Sequence, residues 1–301
     1  PPFGGGRAPV LARNTVASSQ PLATQAGIEA LQNGGNAVDA ALATAITLTV
    51  VEPTMNGLGG DGFALIWDGK KLHGLNASGK APAAWTPDYF AGKSAMDPIG
   101  WNTVTVPGVV AGWLELSRKF GKLPFAQLFK RAIDYAENGF PVSPVIARQW
   151  REAIPILKNQ PGFSESFLID GKAPQAGQIW KYPAQAKTLK EIAATEGESF
   201  YKGPLAKSMV DFAQATGGCF TMQDFADNQS EWVEPLAFDY GDYTLHEIPP
   251  NGSGIAAQIA LGILQAANVK QYPANSAQRI HLQIEAMRMA FADVYAYVSD
   301  A

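Results

Sequence analysis

The spacing of small and apolar positions in the N-terminal part of the chain predicts two helices. Small and apolar residues recur at helical spacing from Leu22 to Leu31, and the pair Gly34-Gly35 is typical of a helix end. Asn36 can then cap a second helix, because its side-chain oxygen can accept a hydrogen bond from a free N–H two or three residues on. That helix, from Ala37 to about Val50, is apolar on nearly all sides. We therefore expect it inside a core.

A glycine run follows Pro53 and precedes two short apolar segments. Gly57, Gly59 and Gly62 have the spacing G-x-G-x-x-G, which binds a pyrophosphate when a strand precedes it and a helix follows it. Here the order is the reverse. A helix ends at Pro53, and the segments FALIW and KLHGLNA after the glycines predict two strands joined by a two-residue loop at Asp68-Gly69. The pattern therefore argues against a dinucleotide site.

The rest of the chain mixes helices and hairpins without a regular strand-helix-strand rhythm. From Thr103 a short strand is predicted to lead through the turn Pro107-Gly108 into a helix, and a second hairpin surrounds the turn Gly241-Asp242. Amphipathic spacing predicts further helices over Phe125–Asn138, Val145–Leu157, Ala184–Glu196, Ile255–Asn268 and Ser276–Val298. This mixture favours an α+β layer structure over a doubly wound parallel sheet.

Composition and charge narrow the class of protein. The chain has 301 residues, of which 47% are hydrophobic and 17% are charged, as is usual for a globular protein. A formal net charge of -4 offers no basic surface for nucleic acid, and the apolar run Ala40–Val51 is too short for a membrane span. We expect neither nucleic acid nor membrane as a partner. The single cysteine, Cys219, and a start without a signal-peptide pattern favour the cytoplasm over the periplasm.

Residues with catalytic chemistry form no complete set in this sequence. His73, His246 and His281 are scattered over two predicted strands and a helix, and their spacing fits no helix-borne metal motif. Each is interpreted as a packed or hydrogen-bonded structural residue. Asp39, on the apolar helix, must find donors when it is buried, and we expect it to bind nearby backbone N–H groups.

Two glycine-rich loops leave a choice open. The loop around Asp61 can gather backbone N–H groups around an anion, or its glycines can merely allow a tight crossing under a neighbouring strand. The loop PPNGSG raises the same choice, with Asn251, Ser253 and the amides of a helix N-terminus as donors. The residues alone do not decide between these interpretations.

Ordered motifs along nearly the whole chain resemble one family, the γ-glutamyltransferases. The first is VASSQPLATQAGIEALQNGGNAVDAALATAITLTVVEPTMNGLGGDGFALIW. It is followed by VTVPGVVAGWLELSRKFGKLP, RAIDYAENGFPV, FYKGPLAKSMVDF, GGCFTMQDFADN, YGDYTLHEIPPNGSG and IEAMRMAFADVYAYVSD. So many motifs in one order do not arise by accident, and the chain is identified as similar to this family.

The resemblance implies the fold of an N-terminal nucleophile hydrolase, a four-layer α-β-β-α sandwich of the α+β class. Such a protein is made as one inactive precursor that cuts itself into a large and a small subunit. Residues 1–301 resemble the large subunit, a single domain that the small subunit completes. The cleavage point is expected beyond Ala301. A dimer of such heterodimers is a further expectation.

The resemblance also places the chemistry outside this chain. The nucleophile is the N-terminal threonine of the small subunit, and its own α-amino group, with an ordinary pKa of about 8, can accept the hydroxyl proton. Attack on an amide gives an acyl-enzyme, which water hydrolyses or an amino acid intercepts. We therefore expect no catalytic residue in this chain, and neither a metal nor an organic cofactor.

One position departs from the family pattern. In the family's transpeptidases, an arginine on the strand that leaves the first hairpin binds the α-carboxylate of the γ-glutamyl group, and alignment on Ala81-Pro82 places that arginine at Ser78. A serine cannot form the bidentate, charge-assisted pair of arginine with a carboxylate. Lys80 is expected to supply charge from the same strand face, although lysine is a flexible point charge. The serine form resembles the γ-glutamyltransferase-like branch, which includes cephalosporin acylases that act on glutaryl-type side chains.

The resemblance assigns two sets of positions. The acyl pocket is expected to be lined by Ser78 first, and then by Asn76, Gly79 and Lys80. The adjacent loop is expected to be shaped by Gly59, Gly60 and Asp61, which in a second interpretation only support the small subunit.

Three hypotheses of function follow. The leading one is a γ-glutamyltransferase-like amidohydrolase that cleaves γ-glutamyl or related acyl amides, with hydrolysis favoured over transpeptidation. The second is a true γ-glutamyltransferase that acts on glutathione and binds the α-carboxylate through other residues. The third is a non-enzymatic binding protein that has kept the fold, which predicts no self-cleavage.

Overall fold

The computed structural model describes residues 10–299, which divide into two compact units. The described part of the first unit comprises residues 10–57 and 113–200, and that of the second comprises residues 58–112 and 201–299. Each unit has its own helices and strands. The single domain completed by a small subunit stays a prediction.

The described residues form helices and short antiparallel strands. The α-helices are α1 (Pro21–Gln32), α2 (Ala37–Val51), α3 (Val109–Phe120), α4 (Lys130–Asn138), α5 (Pro144–Leu157), α6 (Phe163–Phe167), α7 (Pro183–Ala194), α8 (Glu198–Lys202), α9 (Pro204–Ala215), α10 (Met222–Ala226), α11 (Ile255–Ala266) and α12 (Ala277–Tyr297). The strands are β1 (Gly62–Trp67), β2 (Leu72–Ala77), β3 (Phe140–Pro141), β4 (Ile179–Trp180), β5 (Glu231–Val233), β6 (Leu236–Tyr240) and β7 (Tyr243–Glu247). Short 3-10 helices cover Trp101–Thr103, Phe125–Phe129 and Val269–Gln271.

The first unit is built around the helix pair α1 and α2. Gln20 and Asn36 cap the two helices with their side-chain oxygens, and Asn36 forms a capping box with Asp39. A Cβ atom on Gly27 would lie 2.3 Å from Oγ1 of Thr44, so a larger residue would force the helices apart. As predicted, most residues of α2 are buried.

Asp39 shows why a carboxylate is tolerated on this buried helix. Its side chain is fully buried, and its oxygens accept hydrogen bonds of 2.8 to 3.3 Å from the backbone N–H groups of Asn36, Lys122 and Leu123. These donors replace the water that burial removes. The prediction that Asp39 binds backbone N–H groups is confirmed.

In the second unit, β1, β2 and β5 form an antiparallel sheet in the order β1-β2-β5. Four residues, numbered 68–71, separate β1 from β2, and the N–H of Asp68 donates to the carbonyl oxygen of Lys71 at 3.2 Å across Gly69 and Lys70. The predicted loop at Asp68-Gly69 is therefore wrong in position. The carboxylate of Asp68 accepts hydrogen bonds of 2.8 Å from the N–H groups of Lys70 and Lys71, and Gly69 has a φ of +94°. The side chain of Asp68 thus satisfies two backbone N–H groups inside the loop.

The second hairpin, β6 and β7, does close with the predicted two-residue turn Gly241-Asp242. The amide of Gln258, on α11, donates to the carbonyl oxygens of Leu236 and Leu245 at 3.1 and 3.2 Å. Helices α11 and α12 share a buried apolar cluster, whose members are Ala256, Ala260, Leu264, Val269, Ala286, Ala290 and Val294. The hairpin and the two helices therefore pack as one piece of the second unit.

Two other predicted elements differ from the structure. The strand expected from Thr103 is absent, because Trp101–Thr103 is a 3-10 helix that the N–H of Val104 closes onto the oxygen of Trp101. The N–H of Val106 donates to the oxygen of Lys80, but these residues form no strand ladder. The helix expected over Phe125–Asn138 begins as a 3-10 helix and becomes an α-helix at Lys130. Within residues 10–299, no helix has both the length and the hydropathy to cross a bilayer.

Candidate functional site

The candidate residues after β2 lie where two backbone segments of the second unit touch. Gly79 has a φ of +81°, and a Cβ atom built on it would lie 1.7 Å from the carbonyl oxygen of Val106. A Cβ atom on Gly108 would lie 2.2 Å from the carbonyl oxygen of Ala77. Only glycine fits at both positions. This contact fixes the course of the chain on both sides of Ser78.

The glycine run before β1 joins the same contact. The carbonyl oxygen of Gly60 accepts from the N–H groups of Gly108 and Val109 at 3.1 and 3.2 Å, at the start of α3. Gly60 thus presents its carbonyl rather than its N–H group to this neighbour, which agrees with a tight crossing rather than an anion cradle. Asp61 is exposed and makes no hydrogen bond or ion pair with any other described residue.

Tyr201, which the sequence did not single out, stabilises the start of α3. Its hydroxyl donates to the carbonyl oxygen of Pro107 at 2.7 Å and accepts from the N–H of Ala111 at 3.0 Å. Burial raises the pKa of the Tyr201 phenol well above its ordinary range. With Gly60 and Tyr201 as partners, N–H groups at this helix end are occupied by the protein itself.

Three side chains around Ser78 form a closed ring of hydrogen bonds. The backbone N–H of Ser78 donates to Oδ1 of Asn76 at 3.0 Å. Nδ2 of Asn76 donates to Oδ1 of Asn251 at 2.9 Å, and Nδ2 of Asn251 donates to Oγ of Ser78 at 2.9 Å. The structure therefore brings two predicted pocket residues, Ser78 and Asn76, together with Asn251 from the PPNGSG loop.

Sheet register adds a carboxylate to this region. Asn76 lies opposite Phe63 on one side and Glu231 on the other, so the three side chains share one face of the sheet. Nζ of Lys80 lies 3.9 Å from Oε1 of Glu231, and both side chains are about 60% exposed. The sequence did not indicate Glu231, because its place beside β2 depends on the strand order of the sheet.

The expected orientation of Lys80 needs a correction. Strand alternation would place Lys80 on the face of Ser78 only if the strand continued, but β2 ends at Ala77 and Gly79 has a left-handed backbone. Alternation therefore does not apply across this segment. Lys80 is placed instead by its loose pair with Glu231 and by the bond from Val106 N–H to its carbonyl oxygen.

None of the three hydrogen bonds of the ring involves a histidine. Nε2 of His73 lies 2.8 Å from the carboxylate of Asp68 in the hairpin loop, whereas His246 and His281 are exposed. Backbone N–H groups and His73 lower the pKa of Asp68 to about 2. In residues 10–299, no three or more His, Cys, Asp and Glu side chains are grouped so that they could hold a metal ion. The expectation that no cofactor is needed stays a prediction.

Comparison with known proteins agrees with the motifs. The chain matches the family model for gamma-glutamyltranspeptidase over residues 23–301. It is 36% identical over 291 residues to the glutathione hydrolase-like YwrD proenzyme of Bacillus subtilis, a match that covers 96% of this chain and 55% of that protein. It is 37% identical over 287 residues to the oxamate amidohydrolase proenzyme of Klebsiella pneumoniae, with 93% and 54% covered. The chain thus spans about half the length of these curated relatives.

A solved structure gives the same result for the fold. The chain superposes on the cephalosporin acylase from Bacillus halodurans with a TM-score of 0.87 and 43% identity, over 99% of this chain and 58% of that one. The predicted fold class is confirmed: α+β, in the family of four-layer α-β-β-α sandwiches.

Proposed function

The chain belongs to the γ-glutamyltranspeptidase family, and we propose that it is the large subunit of a self-cleaved amidohydrolase. The substrate is a γ-glutamyl or related dicarboxylic acyl amide. The N-terminal threonine of the small subunit attacks the amide carbonyl and its α-amino group takes the hydroxyl proton. The amine leaves with a proton, and water then releases the acyl group. Hydrolysis is favoured over transfer to an amino acid.

The ring around Ser78 is the observation that carries this proposal. The resemblance aligns Ser78 with the arginine of the family's transpeptidases, and here the Ser78 hydroxyl lies beside the amides of Asn76 and Asn251. Neutral donors hold a carboxylate less strongly than a guanidinium does, and they make no bidentate pair that demands the α-carboxylate of glutamate. The names of the relatives, which include a glutathione hydrolase-like protein, an oxamate amidohydrolase and a cephalosporin acylase, support amide hydrolysis with varied acyl groups.

Exposed apolar side chains support a small subunit as the partner. On β1, Phe63, Leu65 and Trp67 are 42%, 41% and 64% exposed and point to the same face of the sheet. Ile280 and Ile284, on α12, are exposed one helical turn apart. Exposed apolar surface of this kind is typical of a site that another protein chain covers. The dimer of heterodimers and the cytoplasmic location stay predictions.

The test uses the complete precursor. Intact-mass analysis should find two chains, with a small subunit that begins with threonine. The purified two-chain protein should hydrolyse a γ-glutamyl anilide and a glutaryl anilide, and a dipeptide acceptor should raise the rate little. An uncleaved chain without activity would instead support the binding protein.

Glutathione transpeptidation is a second candidate because of Lys80. Its ammonium is exposed and only loosely paired with Glu231, so it is free to bind an α-carboxylate. Ser78→Arg separates the two candidates. In the proposed amidohydrolase, the added guanidinium should raise activity on the γ-glutamyl anilide relative to the glutaryl anilide. In a true transpeptidase that already binds the α-carboxylate elsewhere, the same change should have little effect or reduce the activity by crowding.

A further inference from the structure

The loop between β7 and α11 supplies Asn251, one of the two amides in the ring around Ser78. Asn251 is 173 positions from Ser78 in sequence, yet its amide bonds to both Ser78 and Asn76. We propose that Asn251 is a positioning residue that fixes the direction in which the Ser78 hydroxyl donates, and thereby selects acyl groups that end in an oxygen acceptor. This inference rests on the proposed function, because it concerns the same acyl pocket.

The hydrogen-bond directions in the ring are fixed by one group that can only donate. The backbone N–H of Ser78 requires an acceptor, so Oδ1 of Asn76 must face it. Nδ2 of Asn76 then faces Asn251, which must present its own Oδ1. Nδ2 of Asn251 is consequently left to face Oγ of Ser78. Turning either amide over would set donor against donor.

The hydroxyl of Ser78 is therefore an acceptor toward Asn251. Its own proton has no acceptor among residues 10–299, and the Asn251 amide has a second N–H that makes no hydrogen bond there. The ring thus offers hydrogen-bond donors to a ligand. Donors of this kind bind a carboxylate or carbonyl oxygen and gain nothing from a methyl group. An acyl chain with a terminal carboxylate, such as glutaryl, satisfies them.

Asn251→Asp tests this direction with almost no change of shape. An ionised carboxylate in place of the amide accepts the Ser78 proton and repels a substrate carboxylate. We expect KM for the glutaryl anilide to rise about 10-fold or more with kcat nearly unchanged. KM for a pentanoyl anilide, which lacks the terminal carboxylate, should change little. Asn268→Asp, on an exposed residue of the same unit, is the matched control for charge.

The pH dependence separates a positioning role from a merely structural one. When the new carboxyl is protonated it can donate to Ser78 as the amide does, so the ratio of variant to wild-type KM should fall toward one as the pH is lowered. Asn251→Ala removes the donor without adding a charge and should raise KM about threefold at every pH. A cleaved, active Asn251→Asp variant with wild-type KM for the glutaryl anilide and a flat ratio would overturn the inference.

Failure of the inference can be told from failure of the proposed function. If the wild-type protein neither cleaves itself nor hydrolyses either anilide, the proposed function is wrong and the inference falls with it. If the wild type is active but neither Asn251 variant is processed, Ser78→Ala decides. It should lose most of the preference for glutaryl over pentanoyl anilide, and a preference kept at the wild-type level would contradict the role of the hydroxyl.

Discussion

The two hairpins of the second unit leave their sheets in different ways. The chain that leaves β2 is held by its backbone, since Gly79 and Gly108 bring two segments into contact where no side chain fits. The chain that leaves β7 is held by side chains, because Asn251 bonds to the ring at Ser78 and Gln258 bonds to the hairpin behind it. The two kinds of contact therefore have different tasks. Backbone contact sets where Ser78 lies, and side-chain amides set what its hydroxyl can bind.

Gly79→Ala should disrupt the backbone contact of the segment that leaves β2, and it should have the largest effect on stability. The new methyl group would meet the carbonyl of Val106, and φ at +81° is itself unfavourable for alanine. We expect a loss of more than about 3 kcal/mol in the free energy of unfolding, together with failure of self-cleavage. Urea unfolding and intact mass measure these effects.

Gly59→Ala is the control for that change. A Cβ atom on Gly59 has no neighbour within 4 Å in the described chain. The free energy of unfolding of this variant should therefore stay within about 0.5 kcal/mol of the wild type. Equal losses from the two variants would mean that the close approach at Gly79 does not determine the position of Ser78.

Gln258→Leu should loosen the second hairpin by a smaller amount. The change leaves the carbonyl oxygens of Leu236 and Leu245 without their shared donor in a buried place, at a cost of about 1–3 kcal/mol. Thermal or urea unfolding measures the loss. Gln265→Leu, on an exposed position of the same helix, should shift stability by less than about 0.5 kcal/mol. A Gln258 variant as stable as this control would show that packing of α11 alone holds the hairpin.

The contrast between the segments that leave β2 and β7 also explains what the sequence could predict. Local signals were sufficient where neighbours in sequence make the structure, as with the cap at Asn36 and the turn at Gly241-Asp242. They failed at the first hairpin loop, because the side chain of Asp68 takes the N–H groups of Lys70 and Lys71.

The candidate site was predictable in part for the same reason. Family motifs point to Ser78 and Asn76, which lie two positions apart, but no local pattern shows that Asn251 closes the ring from a distant loop. Nor does any show that Glu231 lies opposite Asn76, since that requires the order of the strands. Long-range pairing is set by packing of the whole unit rather than by neighbouring residues.

Lys80→Met tests whether the exposed ammonium in the segment that leaves β2 helps to bind the substrate carboxylate. Because the ion pair with Glu231 is long and exposed, stability should change by less than about 1 kcal/mol. KM for the glutaryl anilide should rise about two- to fivefold at low salt and less at high salt, since ions screen an exposed charge. Glu231→Gln should lower KM by freeing the ammonium.

Lys71→Met is the control for the loss of one lysine. Lys71 pairs with Glu234 at 2.8 Å, at the loop end of the same hairpin and away from Ser78. The KM of the Lys71→Met variant for the glutaryl anilide should stay at the wild-type value. A rise in KM equal to that of the Lys80 variant would mean that only the overall charge of the sheet matters.

Asp68→Asn should give the smallest effect, and one that depends on pH. The pKa of Asp68 is lowered to about 2 from an ordinary 3.8 by the N–H groups of Lys71 and Lys70 and by His73. A carboxyl with a lowered pKa in the folded state stabilises that state above its unfolded pKa, and the contribution is lost as pH falls through the folded value. The urea midpoint of the wild type should therefore exceed that of the variant at neutral pH, and the difference should shrink between about pH 4 and pH 2.

Asp242→Asn, at the turn of the second hairpin, controls for the loss of one exposed carboxylate. A difference that grows on acidification would contradict the hydrogen bonds assigned to the first loop.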